Sequence, residues 1–117
     1  MSSRDWKFRI RDILTAIDKI ERYVKEMNMA EFKQDELVFD AVVRNFEIIG
    51  EASKNIPTEI RNEYSEIPWS QMCGMRDVLV HEYFGVDVNI LWHTAKKYLP
   101  PLKLQLLTLL AAMDEDA

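Results

Sequence analysis

Only three glycines and four prolines punctuate this chain of 117 residues. Glycine supplies the backbone conformations that tight turns need, and proline ends regular elements. A many-stranded sheet needs such residues every few positions. A chain this poor in them has few turns and long elements, and long elements point to helices. No stretch alternates apolar and polar residues for long enough to make a convincing strand.

The apolar spacing agrees. Ile10, Ile13, Leu14, Ile17, Ile20, Val24 and Met27 follow the three-four rhythm of a buried helical stripe, so a first helix is expected from about Asp5 to Met27. Ser2 and Ser3 are its candidate N-caps. "NMAEFKQD" reads as a polar connection. Asp35 at its end suits the N-cap of a second helix, expected from Glu36 to about Asn55. Leu37, Ala41, Val42, Ile48, Ile49 and Ala52 form the core face of that helix. Gly50 in its middle costs stability relative to alanine, which suggests close approach of a neighbouring helix. "NIPTEIRNEYSEIPW" holds a short helical turn between two prolines. A third helix then runs to Gly85, a natural left-handed C-cap position. Asp87 caps a fourth from Val88 to about Leu99. Pro100 and Pro101 interrupt it, and "LKLQLLTLLAAM" continues as the last, with Pro101 near its first turn. The expectation is an all-α, antiparallel four- to five-helix bundle, one domain over residues 1–117, with a frayed acidic tail at 113–117.

A chain of this length can bury a core without disulfides or a structural metal. Its single cysteine, Cys73, excludes an internal disulfide and suits a reducing compartment. The N-terminus lacks the apolar core of a signal peptide, and "LLTLLAAM" is too short to span a bilayer. A soluble, cytoplasmic protein with no membrane partner is expected. The net charge of −5 counts against nucleic-acid binding by bulk charge. Any RNA must be held by a local cluster of Arg and Lys.

Several chemistries lack their residues. The Glu-x-x-His pattern of a di-metal bundle is missing, because Val78 and Ile90 stand three before His81 and His93. One Cys and two His make no zinc spacing, and no phosphate-binding glycine loop is present. Any catalysis is expected to proceed without a resident metal or tightly bound cofactor.

"RDVLVHEY" concentrates the reactive side chains. On a helix Arg76 and Tyr83, seven apart, point nearly the same way. Asp77 and His81, four apart, can pair. Arg76 and His81 are about 140° apart, so one phosphate meets both only in a groove or where two copies of the helix meet on a two-fold axis. As a bare spacing the stretch reads equally as a solvated face with a local salt bridge. Arg44, Glu47, Glu51 and Lys54 share one face of the second helix and read at least as readily as paired surface charges. Asn45 suits a buried polar tie. Trp6, Trp69 and Trp92 suit anchors of the bundle, Cys73 suits packing and His93 the surface.

The wider order of motifs adds specificity. "AVVRNFEIIGEASKNIP" from Ala41 to Pro57, "IPWSQMCGMRDVLVHEYFGVD" from Ile67 to Asp87, and a later Trp followed by "LPPL" span nearly the whole chain. Together they resemble the HEPN superfamily, and within it the HepT-like toxins of bacterial and archaeal MNT–HEPN toxin–antitoxin pairs. The signature Arg-x4-His-x-Tyr corresponds to Arg76, His81 and Tyr83, with the polar residue after the arginine matched by Asp77. The resemblance implies a helical homodimer with both motifs facing a shared cleft, and a metal-independent RNase. It also implies a nucleotidyltransferase antitoxin partner that attaches AMP to Tyr83, and allows a higher assembly with that partner. Arg76 and His81 are then the expected catalytic pair, supported by Asp77 and Tyr83. The competing expectation is a non-enzymatic dimerisation module that binds a nucleotidyltransferase or a nucleotide, which the acidic balance favours.

Overall fold

The structure, a computed structural model, describes residues 3–82 and 85–115. Helix α1, Ser3–Val24, buries the expected stripe: Trp6, Ile10, Ile13, Ile17, Ile20 and Val24 are almost wholly withdrawn from solvent. Leu14 packs half-buried at its margin. The helix stops at Val24, one turn short of Met27. There the Lys96 ammonium donates to the Val24 carbonyl at 3.0 Å, satisfying one of the orphan acceptors at the helix end. Ser2 lies outside the described residues.

The segment expected as a plain connection folds as α2, Met29–Gln34. Its cause is local. Asn28 accepts from the Glu31 N–H and Glu31 accepts from the Asn28 N–H, both at 2.9 Å, a complete capping box. The turn so formed drives Phe32 into the core against Phe39 and Trp92, with ring centroids 5.9 and 5.4 Å away. Asn28→Ala is expected to cost about 1 kcal/mol of stability, read as a shift in the denaturant midpoint without a change in slope.

Helix α3, Glu36–Lys54, starts where Asp35 accepts from the Val38 N–H. Its buried face is Val42, Val43, Phe46, Ile49 and Ala52, rotated slightly from the expected one. Leu37 is 81% exposed, while the neighbouring Val38 and Phe39 pack against the core; Ala41 and Ile48 are only half-buried. Asn45 is buried and donates to the Ala41 carbonyl at 2.8 Å, as a polar tie should. The short α4, Thr58–Glu63, comes after Pro57, and Arg61 donates back to the carbonyls of Ser53, in the last turn of α3, and of Ile56, just past it.

Helix α5 spans Trp69–His81 and carries the Arg76 motif. It ends at His81, with Glu82 as C-cap, rather than running on to Gly85. Gly85 has no positive φ, so the left-handed cap expected there is absent. Asp87 does cap α6, Val88–His93, accepting from the Asn89 N–H at 2.8 Å. The two prolines do not break the helical course of the C-terminal segment. Pro100 and Pro101 have no N–H to offer the carbonyls of Lys96 and Lys97. The helix widens just before them into a π turn, Thr94–Tyr98, with the Leu99 N–H reaching back to Thr94, and continues as α7, Leu99–Glu115.

α1 packs along α3, α3 along α5, and α7 returns against α1. One cluster of buried side chains drawn from all of these, with Phe32, Leu91, Leu106 and Leu109 fully enclosed, forms the core. No strand occurs among the described residues, so the chain is all-α. No helix among them is long and apolar enough to cross a membrane.

Candidate active site on the α3–α5 face

Gly50 sets the site. A Cβ built there would collide with the Cβ of Arg76 and lie 2.9 Å from the Met72 carbonyl oxygen. Glycine therefore lets α3 and α5 touch backbone to backbone, as the sequence suggested. The contact brings the polar margins of the two helices within bonding distance. Arg76 Nε donates to Glu51 Oε2 at 2.8 Å and Nη2 to Oε1 at 3.5 Å. Its Nη1 reaches Asp77 Oδ1 at 3.2 Å, and the same oxygen accepts from Lys54 Nζ at 2.6 Å. Four charges from two helices thus form one chain, Glu51–Arg76–Asp77–Lys54.

The chain shifts its members' protonation in the expected senses. The hydrogen bond from Lys54, then that from Arg76, holds Asp77 below its ordinary value of 3.8. Hydrogen bonds to Asp77 and then Glu51 raise Arg76 above its ordinary value. A carboxylate with a lowered folded-state pKa adds stability above its unfolded value and loses it as pH falls through the folded one. Asp77→Asn is therefore expected to lower the melting temperature slightly near neutrality. The difference from wild type should vanish once the pH falls below the carboxylate range. A constant difference across that range would mean that Asp77 acts by shape rather than charge.

Arg76 also opens onto a groove of about 290 Å³ between three helices. α1 contributes Arg9 and Asp12, α3 contributes Arg44, Glu47, Ile48 and Glu51, and α5 contributes Arg76 and Val80. Arg44 and Glu47 pair at 3.6 Å. Three guanidinium groups thus border one shallow groove, and guanidinium is the side chain best matched to phosphate. Arg9 and Asp12 carried no signal in the sequence. They sit on the polar side of α1, and only the packing of α1 on α3 brings them here.

The sequence-derived residues divide accordingly. Arg76 and Asp77 come together with Glu51 and Lys54. His81 is exposed in the last turn of α5, outside the lining of the groove. Asp77 turns its Oδ1 to Lys54 and Arg76 in place of the Asp77–His81 pair that their spacing allows. Tyr83, expected to support the site and to be the modified residue, lies outside the described residues. Cys73 and Trp92 are half-buried, Trp6 and Trp69 are buried, and His93 is exposed with its ring against Tyr98. Among the described residues no group of three or more His, Cys, Asp or Glu could hold a metal ion.

A family model described as ribonuclease HepT-like matches residues 13–109, from the middle of α1 to within α7, and so covers the α3–α5 contact but not Arg9 and Asp12. The chain belongs to the ribonuclease HepT-like family, within the HEPN superfamily. A protein of Thermococcus cleftensis named "Probable ribonuclease HepT" is 48% identical over 100 residues, 86% of this chain and 91% of the relative. A "Putative RNase" of Methanocaldococcus jannaschii is 41% identical over 115 residues, 98% of this chain and 99% of the relative. A longer protein of the same organism, named as a gamma-glutamylcyclotransferase and putative RNase, is 41% identical over 113 residues. The chain spans 51% of its length. No solved structure matches the chain at a significant level.

Proposed function

We propose that this HepT-like chain is a ribonuclease toxin whose reaction uses the 2′-hydroxyl of RNA as its own nucleophile. The observation that carries the reading is the placement of Arg76. It is held by Glu51 and Asp77 at the edge of a groove with Arg9 and Arg44, one and a half turns before an exposed imidazole. In the reaction a base removes the 2′-OH proton and the 2′-oxygen attacks phosphorus. The bond from phosphorus to the 5′-oxygen then breaks, that oxygen takes up a proton, and a 2′,3′-cyclic phosphate remains. The His81 imidazole serves as base or acid. Arg76 stabilises the negative charge that builds on the phosphate oxygens.

The proton taken and the proton given require two groups. Five residues on a helix place the Cα atoms of Arg76 and His81 about 9 Å apart and on different faces. A homodimer with both motifs in one cleft supplies two imidazoles and two guanidiniums, which balances the reaction. In this reading the enzyme works in the cytoplasm, alone or in a higher assembly with a nucleotidyltransferase antitoxin. The antitoxin transfers AMP from ATP to the Tyr83 hydroxyl, with pyrophosphate leaving and the phenolic proton lost, and so places bulk and negative charge where substrate phosphate must sit.

One observation favours a second reading, a non-enzymatic module that dimerises and binds a nucleotidyltransferase or a nucleotide. Arg76 is already satisfied by two carboxylates, as a strut between α3 and α5 would be. Induced expression of wild type beside His81→Ala, scoring growth and total RNA, separates the two. Growth arrest with RNA loss in wild type only supports the ribonuclease. Intact RNA from folded wild type, with intact mass showing unmodified Tyr83, supports the module.

A further inference from the structure

A chain with 20 acidic and 15 basic side chains must gather its cations locally if it is to hold RNA. A second groove, of about 590 Å³, gathers five of them where the C-terminal half of α1 meets the π turn and α7. Lys19 and Arg22 come from α1, Lys25 from the turn that follows it, Lys96 from the π turn and Lys103 from α7. The groove holds only two carboxylates, Asp18 and Glu21. Lys103 takes both, at 2.7 and 3.2 Å. Lys96 is fixed in place by the Val24 carbonyl and by the Trp92 ring, 4.9 Å from its ammonium. Among the described residues Lys19, Arg22 and Lys25 form no ion pair, and Arg22 and Lys25 are exposed.

The α1 macrodipole accounts for cations at its last turn. It does not account for Lys19, about one and a half turns inside the helix, nor for Lys103 cancelling the two acids that would otherwise repel a polyanion. The position is also informative. Asp12 lines the Arg76 groove and Lys19 lines this one. Seven residues apart, they lie within about 20° on the helix, while the rest of the two linings diverge around it. Arg9 and Arg22 are about 20 Å apart along the axis and about 140° apart around it. A strand whose reacting phosphate sits at Arg76 reaches the second groove by winding over α1 past Asp12 and Lys19.

We infer that the groove of Lys19, Arg22, Lys25, Lys96 and Lys103 binds the phosphate backbone of the RNA substrate at a distance from the cleavage site. This inference rests on the ribonuclease reading. It predicts that long RNA is bound through salt-sensitive contacts that a dinucleotide substrate cannot make. Each phosphate neutralised on a single strand contributes about 0.7 to the slope of log affinity against log salt.

The test compares wild type with R22E/K25E. Fluorescence anisotropy follows a labelled oligoribonucleotide long enough to reach both grooves, in the H81A background to prevent cleavage. Dinucleotide cleavage is measured with His81 intact. The expected result is affinity for the long RNA reduced about tenfold or more, a slope shallower by about 1.4, and an unchanged rate on the dinucleotide. Lys25→Gln, the milder variant should R22E/K25E not fold, is expected to reduce the slope by about 0.7. Unchanged affinity and slope overturn the inference while leaving the ribonuclease reading intact. So does unchanged RNA affinity with lost binding of polyglutamate, which assigns the groove to an acidic protein. Wild type that neither binds the long RNA nor cleaves the dinucleotide overturns both readings.

Discussion

Replacing His81 with alanine is expected to lower RNA cleavage by about two to four orders of magnitude, the usual range for losing a general acid or base. Stability should not change measurably. His81 is exposed in the last turn of α5 and contributes nothing to the buried cluster. Single-turnover rates on one labelled RNA, beside a denaturant melt of each protein, make the comparison. Arg76 cannot give so clean a result. It joins α3 to α5 through Glu51 and crosses the Gly50 contact, so Arg76→Ala removes a strut together with the proposed phosphate ligand. Arg76→Lys is the better companion. Lysine keeps the charge and the packing of its stem but cannot present two N–H groups in a plane. Cleavage lost in both His81→Ala and Arg76→Lys, with both proteins folded, locates the chemistry in the motif. A His81→Ala protein that cleaves at the wild-type rate excludes it from catalysis, and the role of Arg76 as a strut becomes sufficient.

Much of this arrangement is legible in the sequence, and the parts that are not share a cause. The α1 stripe from Ile10 to Val24 repeats over four turns, and Asp87 precedes an apolar run, so pattern alone places both. Asn28 and Glu31 carry a capping box in plain view, but α2 is too short and polar for periodicity to register it. Leu37 fits the α3 stripe by spacing, yet at that end of the helix the packed residues are Val38 and Phe39 and Leu37 stays exposed. Pro100 and Pro101 read as a break because sequence rules place prolines at helix ends. A single π turn absorbs the two missing N–H groups instead. At the site, Arg76 and Asp77 were visible as a motif. Their partners Glu51 and Lys54 looked like one more solvated face, because which faces meet is decided by the packing of α3 on α5. Gly50 was the one local signal of that packing.

That signal leads to the second large effect. Gly50→Ala places a methyl against the Arg76 Cβ and within 2.9 Å of the Met72 carbonyl, a backbone atom that cannot swing aside. In a solvated helix the same change stabilises by about 1 kcal/mol. Here the helices must part to admit it, and overpacking of this kind costs about 1–3 kcal/mol, so a net destabilisation is expected. The consequence for the site is larger than for the fold. Separating α3 from α5 lengthens the Glu51–Arg76 and Lys54–Asp77 bonds together, since both span the same contact. Arg76 then loses the carboxylate that fixes its guanidinium, and a displacement of about 1 Å costs on the order of 100-fold in a positioned reaction. The expected outcome for purified Gly50→Ala is a modest fall in denaturant midpoint with a disproportionate fall in cleavage rate at a temperature where the protein is fully folded. Equal stability and equal activity would mean that the two helices can part without moving Arg76. A loss of stability with full activity would detach the Glu51–Arg76 bond from catalysis and leave it as part of the scaffold.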